Sequence, residues 1–293
     1  MGALNPPHSA SEDRKVRIVC ISDTHNDDCT GSLPDGDVLI HSGDMTDFGT
    51  MEELQAAYDW ISTLPHKVKI IVAGNHDMAL DEKHKDFLPS ALAVFKSEAA
   101  RAAGIHYLDR QVEEIQLLPD SSSNTAVPVY ANPCQPEFLG KPYAFIYAPH
   151  PSPQAAEAWA GAPSTPSSVP IWVTHCPPLG RLDWIPIPPL TGCPVLAEAV
   201  ARARPALSVF GHYHISHGVE LVTWHDETDK VAKAEKLVSD GAPAHLDFTK
   251  PELRFEPGRK TIFVNAAWMT LAKPRTEERY QPIVLDLPLD LLV

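Results

Sequence analysis

Five short polar clusters, each closing a run of apolar residues, constrain this chain more than any other feature. The runs are VRIVCI, DVLIH, VKIIVA, VPIWV and ALSVF. The clusters that follow them are SDTHND around Asp23 and His25, SGD at Asp44, GNHD at Asn75, His76 and Asp77, THCPP at His175, and GHYH at His212 and His214. Apolar runs that are continuous rather than alternating predict central strands covered on both faces. Helical patterns at 51–62, 90–103 and 194–203 lie between them. The strand, loop, helix rhythm of the first 110 residues predicts right-handed crossovers and a largely parallel sheet. In such a sheet, the residues that follow the strands gather at one edge.

What gathers there is a donor set for metal ions. Asp23 and His25 stand two apart on an extended segment, so they point the same way and can grip one ion together. His212 and His214 repeat that spacing. Asp44, in a tight turn, has two oxygens and is the natural bridge between two cations. Asn75 adds a neutral oxygen, which limits the negative charge and keeps the ions electrophilic. Mixed nitrogen and oxygen ligation without thiolate suits Mn, Fe or Zn better than Ca. A lone Asp or His at a strand end is usually a cap or turn former; five such clusters in series are not.

In order and spacing, the clusters resemble the calcineurin-like metallophosphoesterase superfamily, whose pattern reads DxH, GD, GNH(D/E), H and GHxH. Within it the chain is most similar to the small metallophosphoesterase-domain-containing proteins, through DVLIHSGDMTDFGT, KVKIIVAGNHD, YANPCQPEF with YAFIY, THCPPLGRLD, GHYH and FVNAA. The resemblance implies an α/β fold, a four-layer αββα sandwich with a di-metal site at the strand C-terminal ends. It implies two divalent transition-metal ions, one held by Asp23, His25, Asp44 and His214, the other by Asp44, Asn75, His175 and His212. Such ions, roughly 3.5 to 4 Å apart, would activate a hydroxide for in-line attack on phosphorus. The family role of the GNHD histidine falls on His76, which would contact phosphate and protonate the leaving group, with Asp77 orienting it.

Departures from relatives bear on the substrate. The Ser/Thr protein phosphatase branch carries GDxVDRG and RGNHE, and its two arginines clamp a dianionic phosphate. Phe48 and Ala73 stand in those places here. A small, cyclic-nucleotide-like phosphodiester is therefore the expected substrate, with Asn75, His76 and His217 as candidate contacts. The alternatives are a phosphomonoesterase on a small metabolite and a non-catalytic scaffold, and retention of every ligand weighs against the scaffold. His217 follows GHYH where the subgroup often has an acidic residue, and it is expected to reach substrate or lie at the surface. His41 reads as a satisfied core histidine, Cys176 as a small residue in a close turn, and Asn265 as a turn residue or a site neighbour.

At 293 residues and 44% hydrophobic content, the chain can bury a sizeable core. Residues 15–293 are expected to form one domain with a surface insertion near 225–258, helical in the middle, after a flexible tail at 1–14. The 29 prolines concentrate in loops such as NPCQPEF, HPSPQ, GAPSTPSSVP and DWIPIPPLTGCP, which are expected to shape the pocket rim. A net charge of −14 disfavours extended nucleic acid, and a nuclease would want a basic groove. No apolar run approaches the ~18 residues of a membrane span. The five cysteines are odd in number and lack metal spacing, so reduced thiols in the cytoplasm are expected. A small-molecule phosphoester is the expected partner, and the oligomeric state is left open.

Overall fold

All five apolar runs form strands. In the computed structural model, the described residues are 14–119, 126–137, 140–186, 192–239, 244–270 and 278–293. β1 (Lys15–Ile21), β2 (Val38–His41), β3 (Val68–Ile71) and β4 (Ile105–Tyr107) pair in parallel within one sheet. β5 (Gln111–Ile115) and β6 (Val127–Asn132) begin a second sheet, while β7 (Gln135–Pro136) and β8 (Ile146–Tyr147) pair with each other. β9 (Ile171–Thr174), β10 (Leu207–Phe210), β11 (Gly218–Trp224) and β12 (Val231–Val238) continue the second sheet. β13 (Ala244–Asp247) and β15 (Ile283–Pro288) belong to the first sheet and β14 (Lys260–Asn265) to the second. The orders are β13-β15-β1-β2-β3-β4 and β12-β11-β14-β10-β9-β6-β5.

Side chains alternate between two apolar interiors. Val16, Ile18 and Cys20 of β1, with Ile40 and Ile70, meet Val129, Val173, Val209 and Val264 of the opposite sheet. On the outer face of the first sheet, Ile71 and Ala73 pack against α1 (Met51–Thr63), α2 (Pro89–Phe95) and α3 (Glu98–Ala102). On that of the second, Tyr130, Trp172, Phe210 and Phe263 pack with α4 (Pro153–Ala158) and α5 (Pro194–Ala203). The result is the expected four-layer αββα sandwich. Strands buried on both faces are why the runs are continuous. Burying each Val or Ile contributes about 1.5–3 kcal/mol.

Helix α1 also fixes a site loop. Thr50 and Glu53 form a capping box at its start, which satisfies two amides that would otherwise be orphaned. The same Glu53 carboxylate accepts from Asn26 Nδ2 at 2.7 Å, so the cap is tied to the segment that carries His25.

Two local expectations are corrected. The helix expected over 90–103 is interrupted between α2 and α3, because Ser97 Oγ donates to the Val94 carbonyl at 2.8 Å and accepts from the Ala100 amide at 3.0 Å. Serine in mid-pattern competes for backbone partners and takes a cap instead. The helical middle expected within 225–245 is the strand β12, paired antiparallel with β11. Its exposed Lys233 and Lys236 and half-buried Glu235 make it a charged edge strand, which resists pairing with other chains. The segment expected as a surface insertion thus supplies an edge strand to each sheet, β12 and β13. Residues 1–13, expected as a tail, lie outside the described residues.

Candidate metal centre

Asp23, Asp44, Asn75, His175 and His212 each follow the C-terminal end of a strand, β1, β2, β3, β9 and β10 in turn. The loops are bonded to one another. Asp23 N donates to Gly43 O at 2.9 Å, His25 N to Asp44 O at 3.1 Å and Gly211 N to His175 O at 3.0 Å. The Asp23 carboxylate accepts the His212 amide at 3.0 Å on both oxygens. Asp23, His25, Asp44 and His212 have φ of 55°, 46°, 53° and 66°. A left-handed backbone costs a non-glycine residue about 1–3 kcal/mol and persists only where its surroundings enforce it, as at functional sites. The motif glycines make room for the carboxylates: a Cβ on Gly74 would collide with Asp44, and one on Gly211 with Asp23.

Three groups of ligand atoms result, each within 4.8 Å of one another: Asp23, His25 and His214; Asp44, His175 and His212; and His25, Asp44 and His76. Asp44 Oδ2 lies 3.3 Å from His175 Nε2 and 3.8 Å from His25 Nε2, so one oxygen stands between the groups. Asn75 Oδ1 is 3.0 Å from His175 Nε2. All seven expected ligands are thereby brought together. A carbonyl only accepts, so His175 Nδ1 donates to Ser42 O at 2.9 Å and His25 Nδ1 to Thr46 O at 3.1 Å. That leaves each Nε2 to face the cluster, as a ligating histidine requires. The carboxylate, carboxamide and imidazole set fits Mn, Fe or Zn.

Electrostatics couple the donors. Burial opposes charge on Asp23, yet His214 and His175 bring its carboxyl down to about 2. Burial also opposes charge on Asp44, and His175 and His76 outweigh it, holding the carboxyl well below its usual range. For His175 burial acts downward, but Asp44 and Asp23 raise it to about 9. Burial, then the charge of His175, lower His212 to about 3. Without metal, His175 therefore holds a proton at neutral pH that an ion must displace. Mn²⁺ affinity of chelator-treated protein is expected to fall by roughly tenfold per pH unit below that pKa. Calorimetry in buffers of different ionisation enthalpy should show the released proton, and a pH-independent affinity would count against His175 as a ligand.

His76 and Asp77 are not partnered as expected. His76 Nδ1 donates to Asp47 O at 2.6 Å, and its backbone amide donates to Asp44 Oδ1 at 2.7 Å. Asp77 accepts from Gly74 N at 2.8 Å, Thr46 N at 3.0 Å and Thr46 Oγ1 at 2.8 Å. It therefore ties the GNHD loop to the GDMT loop, and the Asp47 carbonyl orients His76. Burial and the Asp44 charge push the Asp77 carboxyl up to about 6 against those hydrogen bonds.

His217 is likewise corrected. It is 2% exposed, stacks on Tyr280 with ring centroids 4.7 Å apart, and bonds through Nε2 to Gln281 O at 3.0 Å. Burial lowers it to about 4, so it is a neutral core residue and belongs to none of the donor groups. Asn265 braces the site from behind: its Nδ2 donates to Tyr213 O at 3.0 Å, between the two GHYH histidines. His41 has both ring nitrogens occupied, by Thr24 Oγ1 at 2.9 Å and Gly43 N at 3.3 Å. Cys176 is buried, and burial raises its thiol well above the usual range, so it is inert. The residue that sequence reasoning missed is Tyr143, whose ring lies 4.9 Å from that of His76.

Seven oxygen- and nitrogen-bearing side chains gathered at the strand ends of an αββα sandwich form a candidate metal centre. The profile described as calcineurin-like phosphoesterase matches residues 16–216, and the chain belongs to that family. It is 34% identical over 234 residues to metallophosphoesterase domain-containing protein 1 of Homo sapiens, covering 74% of this chain and 69% of that one. Its identity to UPF0046 protein K07C11.7 of Caenorhabditis elegans is 31% over 225 residues, covering 75% and 70%. It is also 32% identical over 287 residues to probable rhamnogalacturonate lyase C of Emericella nidulans, covering 94% of this chain. The chain spans only 25% of that protein's length.

Proposed function

We propose that the chain is a metal-dependent phosphoesterase that hydrolyses small phosphodiesters of the cyclic-nucleotide type. The observation that carries the diester reading is the pair Phe48 and Ala73. Phe48 is 68% exposed and Ala73 is buried in the apolar layer under α1, where protein phosphatases have arginines. Without a bidentate guanidinium, a dianion is poorly neutralised, whereas a diester carries one charge.

Asp23, His25, Asp44 and His214 would hold one divalent ion, and Asp44, Asn75, His175 and His212 a second. When bound, Mn, Fe or Zn would supply Lewis-acid stabilisation and an activated water. The chain's own residues do the rest. Asp44 joins the two donor groups. Asn75, with Oδ1 turned to His175, keeps its Nδ2 for a phosphoryl oxygen. His76, with Nδ1 donating to Asp47 O, would serve the leaving oxygen through Nε2, delivering a proton there in its imidazolium form. A net charge of −14 and five buried, unpaired cysteines support a small substrate and a reducing, cytoplasmic setting. No helix among the described residues is long and apolar enough to cross a membrane.

With Mn²⁺, kcat/KM for bis(p-nitrophenyl) phosphate is expected to exceed that for p-nitrophenyl phosphate by roughly tenfold, the worth of about 1.4 kcal/mol of charge neutralisation. A preference for monoesters or phosphopeptides would sink the diester reading, and no turnover on any ester would favour the scaffold.

A further inference from the structure

Tyr143 is pinned beside His76 by a strap with three attachments. His84 Nε2 donates to Pro142 O at 3.0 Å, Ala144 N donates to Asn75 O at 3.1 Å, and Phe145 N donates to Asp81 Oδ2 at 2.7 Å. All three partners lie within ten residues of Asn75, so the strap is fastened to the GNHD loop itself. Phe145 sits at φ 57°, a conformation that the surrounding bonds must enforce. The half-buried Tyr143 ring then lies against that of His76 at 4.9 Å, tilted by 40°. Among the described residues its hydroxyl has no hydrogen-bond partner. Burial and the Asp44 charge raise the phenol pKa, so it remains a neutral donor.

We propose that Tyr143 contacts substrate, its hydroxyl donating to a non-bridging phosphoryl oxygen while its ring supports His76. The proposal rests on the phosphoesterase reading above and adds the residue that does part of the arginines' work. Phosphorus must lie between the donor cluster and the group that protonates the leaving oxygen. Tyr143 borders that space, touching His76 and feeling the charge of Asp44. One neutral donor answers one negative charge without the field of a guanidinium, which suits a monoanionic ester.

The test compares Tyr143→Phe and Tyr143→Leu in the full chain loaded with Mn²⁺. Tyr143→Phe keeps the ring and is expected to lower kcat/KM for bis(p-nitrophenyl) phosphate about tenfold, the loss of one hydrogen bond to a charged group. Its affinity for inorganic phosphate should weaken similarly, with metal content and Tm unchanged. Tyr143→Leu should lose more in kcat, because the His76 ring loses its support. Tyr143→Phe within twofold of wild type in both rate and phosphate affinity would overturn the contact. If wild type prefers monoesters but Tyr143→Phe still loses tenfold on them, the contact stands and the diester reading fails. If wild type turns over neither ester, phosphate affinity alone decides.

Discussion

Asp44→Asn is expected to reduce turnover by at least about three orders of magnitude and to deplete both metal positions together. Among the described residues, Asp44 alone has a carboxylate oxygen facing histidines of both groups, 3.3 Å from His175 Nε2 and 3.8 Å from His25 Nε2. Asparagine is nearly the same shape but removes the charge that joins them. It can also turn an amide N–H₂ toward an imidazole, where no cation can be shared. Gly74 approaches the side chain so closely that a Cβ there would collide with Asp44 Oδ1. Loss of a bridging charge from a two-metal site removes stabilisation of both the attacking and the leaving oxygen. Metal content measured beside kcat distinguishes this from a merely catalytic role. Two ions retained, or activity above a tenth of wild type, would show that Asp44 is not the bridge.

The gathering of the candidate ligands was legible in the sequence because two independent patterns coincide. Continuous apolar runs mark buried strands, and metal donors follow each run within a few residues. The candidate ligands thus inherit their placement from the sheets rather than from long-range side-chain packing. What the sequence hid depends on partners distant along the chain. His217 is buried by Tyr280 and Gln281, which no local pattern ties to it. Val231–Val238 could serve either helix or strand until the edge of β11 offers backbone partners, and sheet context outweighs intrinsic preference there. His76 and Asp77 are neighbours, yet the turn that links Asp77 N to Gly74 O at 3.2 Å sends their side chains to different loops. Tyr143 carries no donor of the kind a metal motif advertises, and it arrives through a strap far from the GNHD cluster in sequence.

His76→Ala is the complementary case, expected to lower kcat by about 10²–10⁴ while both metals stay bound. Two nitrogens of this ring have different duties. Nδ1 is committed to Asp47 O at 2.6 Å, and the ring stands in a group with His25 and Asp44 whose candidate ligand atoms lie within 4.8 Å of one another. That proximity permits either of two roles, a proton donor or an additional ligand, and alanine separates them. A donor's removal hurts most when the departing oxygen is a poor leaving group, so the loss should be larger on an alkyl phosphodiester than on bis(p-nitrophenyl) phosphate. A ligand's removal would instead deplete metal and slow all esters alike. Equal losses on both leaving groups with one ion missing would move His76 into the metal shell, and the proton would then have to come from solvent.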